Sequence, residues 1–125
     1  MNEHEFKNRT KNLALRVINL VNAMPKNQTS EIIGKQLLRS ATSVGANYRA
    51  ACRGKSLTDV INKLSIVEEE ADESLYWMEL IVEAGLFPQT RLVELMSETN
   101  EIVAMTVSSI KTLRTKQTDN PKSKI

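Results

Sequence analysis

Residues 39–85 read RSATSVGANYRAACRGKSLTDVINKLSIVEEEADESLYWMELIVEAG, and this stretch decides the fold. Its first part is rich in small residues and arginine, its second in carboxylates, and the turn Gly54-Lys55-Ser56 joins them. Small residues at core spacing let two helices approach closely, and opposite charges flanking the seam favour pairing of those two helices over other arrangements. The stretch specifies an architecture, and it contains no residue cluster that belongs to a recognisable reaction.

Working outward, the apolar residues recur at steps of three and four. Phe6, Leu13, Val17, Leu20 and Met24 form one stripe, closed by Pro25. Thr29 and Ser30 are placed to cap a second helix whose stripe is Ile33, Leu37, Ala41, Val44, Tyr48 and Ala51, ending at Gly54. Ser56-Leu57-Thr58-Asp59 reads as a capping box for a third helix, with Leu57, Val60, Leu64, Val67, Ala71, Leu75, Met78 and Val82 inside. Gly85 suits a left-handed C-terminal cap and Pro88 a new start, after which Leu92, Met96, Thr99, Val103, Thr106, Ile110 and Leu113 continue. The spacing thus predicts helices over about 4–24, 30–53, 57–84 and 89–115, with 116–125 a disordered basic tail. Short connections force sequential neighbours to be antiparallel, giving an all-α, antiparallel up-down-up-down four-helix bundle in one domain over about residues 1–115. Gly34 and Gly45 inside the second helix disfavour it, and close backbone packing is the expected compensation.

Composition agrees with an aliphatic core: 41% of the residues are hydrophobic but only 4% aromatic. The single cysteine, Cys52, excludes an intramolecular disulfide and fits a reducing compartment. The opening MNEHEFKNRTKN lacks a signal-type apolar run, and no window approaches the roughly 18 apolar residues of a membrane span. A cytoplasmic protein with no membrane contact is the expectation. Net charge is only +2, yet residues 1–63 carry +7, residues 64–105 carry −9 and residues 106–125 carry +4. Either basic and acidic helices neutralise each other within the bundle, or one basic surface is left for a polyanion.

With RSATSVGANYRAACRGKS followed by IVEEEADESLYWMELIVEAGL, the chain resembles the four-helix-bundle proteins related to those encoded in 23S rRNA intervening sequences. The resemblance runs over residues 5 to 115 and is densest at Arg39-Ser40-Ala41, Ser43-Val44, Asn47, the Arg53–Ser56 turn and the Glu-Glu-Glu-Ala-Asp-Glu block. Where that family more usually reads N-I-A-E-G, this chain has Asn47-Tyr48-Arg49-Ala50-Ala51, so an acidic position is missing. The resemblance implies a bacterial up-down bundle assembled into a ring-like homo-oligomer, commonly a pentamer, without an established biochemical activity. It also implies kinship with the accessory variability determinant of diversity-generating retroelements, a basic partner of a reverse transcriptase and nucleic acid.

What the core leaves over suggests three surfaces. Lys35, Arg39, Arg49 and Arg53 fall within about 40° of one line on the second helix, opposite its apolar stripe. This ridge is either solvated, or paired with a neighbouring copy's carboxylates, or set against phosphates. In the last case Arg9, Arg16, Lys35, Arg49, Arg53 and Lys55 are the candidate contacts. Ile66, Trp77, Ile81 and Ala84 form a second apolar line on the third helix, and Leu15 with Ile18 lie away from the first helix's stripe. These six are the candidate oligomer interface, with Trp77 its anchor. Arg39 is expected to pair with Asp72 and Glu73, and Asn47 to fix register from the edge of the core.

Chemistry finds little support. The one histidine, His4, lies near the N-terminus, far from Cys52, Ser40 and Ser43, so no base serves a nucleophile. Glu69 with Glu73 and Glu79 with Glu83 lack the Glu-x-x-His partners of a di-metal bundle. The reading is therefore a non-enzymatic oligomeric scaffold or adaptor without cofactor, metal or small-molecule substrate. The alternative is a nucleic-acid-binding accessory protein using the basic ridge.

Overall fold

The computed structural model describes residues 2–119, which form four long helices, with no strand among the described residues. Helix α1 spans Glu3–Ala23, α2 Gln28–Cys52, α3 Leu57–Glu83 and α4 Val93–Asp119, with a 3₁₀ turn at Gln89–Arg91. Helix α4 runs past the expected boundary into the predicted tail, and the tail from residue 120 on lies outside the described residues.

The helix ends follow from backbone amides that need acceptors. Asn2 caps α1, its side-chain oxygen taking the Glu5 N–H at 2.8 Å. At α2 the cap is Asn27, which accepts from the Ser30 N–H at 2.9 Å, and not Thr29 or Ser30 as expected. An asparagine in extended conformation one turn earlier starts the helix first. Ser56 caps α3 by taking the Asp59 N–H at 3.0 Å, while the Asp59 carboxylate accepts from Lys55 N–H at 3.3 Å rather than closing the box on Ser56. Gly85 adopts φ +68°, so Leu86 N–H reaches Ile81 O at 2.9 Å and Gly85 N–H reaches Val82 O at 3.1 Å, the two bonds of a left-handed glycine cap.

Contacts at two levels along each seam show that neighbours are antiparallel. A Cβ on Gly34 would lie 3.2 Å from Val21 Cγ1, and one on Gly45 3.4 Å from the Thr10 carbonyl oxygen, so both glycines serve the close approach of α1 to α2. Ser40 meets Ser74 while Ala51 clusters with Ile61 and Leu64. Ile110 joins that cluster, and Gln117 donates to Thr58 at 2.8 Å further along. Among neighbouring long helices, contact is most extensive between α2 and α3 and least between α1 and α4, with α1 and α3 diagonal.

The core stripes lie where the spacing puts them, from Phe6, Leu13, Val17, Leu20 and Met24 on α1 to Leu92, Thr99, Thr106 and Ile110 at α4. The buried face is wider than one stripe: Ser40, Ser74, Leu95 and Ile102 are also sealed. So is Ile81, which is fully buried and belongs to this core, not to an association surface. Three residues after Met78 it still faces α2, because a helix against two neighbours buries an arc broader than a single line.

Candidate functional site

The α1–α2 seam forms a basic groove of about 480 Å³. Ala14, Thr42, Gly45 and Ala46 are short and line its floor, while Lys7 and Lys11 of α1 and Arg49 and Arg53 of α2 line it with charge. His4 and Asn8 complete the lining, 3.3 Å apart between Nε2 and Nδ2. Lys7 meets Glu3 at 3.5 Å in an exposed i,i+4 pair. Lys11, Arg49 and Arg53 have no ion-pair partner among the described residues. Each cationic pair sits at i,i+4 spacing, which places both members on one side of their helix.

Two of the six predicted phosphate contacts, Arg49 and Arg53, are brought together here. Arg9 is elsewhere: its guanidinium grips Glu98 of α4 through Nε at 2.9 Å and Nη2 at 2.5 Å, with Glu101 at 3.4 Å and Met105 Sδ at 3.3 Å. The Glu98 hydrogen bonds hold its pKa above the ordinary arginine value. Arg9 therefore ties α1 to α4 and leaves the list of polyanion contacts. Arg16 lies at the other end of the bundle in a small cleft with Arg91, and Lys35 lines a third cleft with Lys26 and Glu31. Lys55 sits exposed on the turn. Sequence reading missed Lys7 and Lys11 because from α1 it took the arginines Arg9 and Arg16, without the register that sets Lys7 and Lys11 beside the α2 ridge. The signal was their i,i+4 spacing beside Ala14, legible once Gly45 is matched to Thr10.

On the α2–α3 seam, Arg39 pairs with Glu73 and with Glu70 at 3.4 Å. Asp72 takes no part and is exposed, since two residues beyond Glu70 is about 200° around the helix. Asn47 bonds its own helix, Nδ2 to Ser43 O at 2.8 Å, and so does not set the register between helices. The buried polar contact across this seam is instead Ser40 Oγ to Ser74 Oγ at 2.8 Å.

Of the predicted association residues, Leu15 and Ile18 are exposed at 51% and 37%, Ile66 at 36%, and Ala84 is also exposed. Trp77 is half-buried against the core, its ring 5.2 Å from that of Tyr76, and its buried indole N–H has no partner among the described residues. Ile32, Tyr76 and Val93 are open as well, which the sequence reading left unmarked.

A cleft of about 450 Å³ opens between the start of α1 and the ends of the other helices, floored by Ala51, Val60, Leu64 and Leu113. Burial first, and then the neighbouring Cys52 thiol, raise the Tyr48 hydroxyl well above its usual range; burial also pushes up the Cys52 thiol. The thiol is thereby kept protonated and unreactive near neutrality. Among the described residues no three or more His, Cys, Asp or Glu converge, and no helix is long and apolar enough to cross a membrane.

The family model described as 23S rRNA-intervening sequence protein matches residues 2–108. Among solved structures, a protein of unknown function from the S23 ribosomal protein family of Bacteroides thetaiotaomicron VPI-5482 is 34% identical, with a TM-score of 0.82 over 89% of this chain and 99% of that one. No curated protein matches.

Proposed function

This chain belongs to the 23S rRNA-intervening sequence protein family, and from that premise we propose that it is a non-enzymatic scaffold that associates with copies of itself and presents charged faces to a macromolecular partner. One observation carries the reading: with the core already sealed, Leu15, Ile18, Ile32, Ile66, Tyr76 and Val93 remain at least 36% exposed. Large apolar side chains left open on several helices favour association. A closed ring follows if unlike faces meet, and five copies is the number that the resemblance implies. Burial and the neighbouring Glu3 carboxylate both push the Cys52 thiol up and hold it neutral, which supports a role without catalysis. Light-scattering mass tests the proposal. The wild type is expected at a multiple of 14.1 kDa, and Leu15→Ser with Ile18→Ser, or Ile66→Ser with Tyr76→Ser, is expected to lower that multiple. A wild type at the monomer mass refutes it.

The α1–α2 groove favours a second reading, a nucleic-acid-binding accessory protein whose contacts are Lys7, Lys11, Arg49 and Arg53. The relative's name, from a ribosomal protein family, is in keeping with such a partner.

A further inference from the structure

We infer that the α1–α2 groove holds a single phosphodiester strand by its backbone, over about two or three phosphates, without reading the bases; this rests on the nucleic-acid reading above. The register gives the length. Gly45 faces Thr10 and Gly34 faces Val21, so Arg49 lies across from the level of Phe6 and Arg53 across from that of Asn2. The four cations therefore climb in order Arg53, Arg49, Lys7, Lys11 over about nine residues of helix, about 14 Å. That is room for about two or three consecutive phosphates of an extended strand.

The cross-section selects the strand. Antiparallel helices pack about 8 to 10 Å apart, and the floor residues Ala14, Thr42, Gly45 and Ala46 leave a furrow between banks that both carry positive charge. A flexible strand settles into such a furrow, whereas a stiff duplex rests on the banks. No Phe, Tyr or Trp lines the groove, and its one imidazole, His4, is engaged with Asn8, so successive bases find no row of stacking platforms and face outward. Glu3 pairs with Lys7 at 3.5 Å, and no carboxylate is among the residues that line the groove.

Labelled oligothymidylate, oligodeoxycytidylate and a mixed-sequence duplex, titrated into the full chain by fluorescence polarisation, test this. The two strands are expected to bind within about threefold of each other and more tightly than the duplex. Affinity is expected to fall about tenfold between about 50 and 200 mM salt, as about two or three neutralised phosphates require. Lys11→Glu with Arg49→Glu is expected to lose at least about tenfold, while Arg16→Glu with Lys35→Glu, the same charge change outside the groove, stays within about twofold. Tighter duplex binding, or a strong preference between the strands, overturns the strand assignment and leaves the nucleic-acid reading standing. An equal loss in both double variants overturns the placement in the groove. Polyglutamate binding as tightly as the strands assigns the groove to an acidic protein and overturns the inference. No binding of any probe at low salt overturns both the inference and the reading beneath it.

Discussion

The α2–α3 seam and the α1–α4 seam both join antiparallel helices, yet the first closes on a pair of hydroxyls and the second is bridged by a guanidinium. At Ser40 and Ser74 the side chains are fully buried and 2.8 Å apart. Ser74 donates its hydroxyl hydrogen bond to Glu70 O at 2.9 Å, so the pair is satisfied largely by its own helices. Between α1 and α4 the helices touch least, and Arg9 spans the gap to Glu98 and Glu101 with Met105 beneath. Small residues let backbones approach and bury surface, whereas long charged side chains hold two helices together where they do not. An ion pair therefore matters most at the loose seam.

The largest expected effect is at the tight seam. Ser40→Leu forces a large side chain where none fits and should cost about 2 to 3 kcal/mol in urea unfolding, while Ser40→Ala should cost about 1 kcal/mol or less because Ser74 keeps its bond to Glu70. Equal effects would mean that the seam is not closed by size. Next come the two arginines, measured at one protein concentration so that association is held constant. Arg9, with 23% of its side chain exposed, is expected to lose about 1 to 2 kcal/mol on replacement by alanine. Arg39, at 53%, sits where the backbones already meet, and its loss should cost under about 1 kcal/mol. The reverse order would break the contrast between the seams.

The smallest effect lies where α2 ends. Cys52 and Tyr48 are neutral when protonated, and burial raises both, so the folded chain holds these protons more tightly than the unfolded one. Stability from this source is complete below the ordinary thiol range near about pH 8.5 and is lost as pH rises beyond it. Thermal melts from neutral to alkaline pH should show a decline that Cys52→Ala flattens at its onset.

Much of this was legible along the chain. The stripes through Leu13, Leu37, Val67 and Ile110 and the left-handed Gly85 are read from spacing and residue type, since each is a property of one helix or one turn. Ile81 was misassigned because its burial depends on how wide an arc α2 and α4 cover. Asp72 and Glu70 differ by two places in sequence, and only the rotation of α3 against α2 decides which one Arg39 can reach. Arg9 looked like surface charge because its partners lie some ninety residues away, on a helix whose distance from α1 no local pattern records.

Sequence by itself determined four amphipathic helices, their order, their antiparallel joining and the segregation of charge, because the period of the apolar residues and the length of the turns are local quantities. Tertiary structure alone decided which cations meet carboxylates and which stand open along a furrow, and which apolar residues stay uncovered. Those outcomes depend on the rotation and register of each helix against its neighbours, and side-chain packing sets both only when the helices come together.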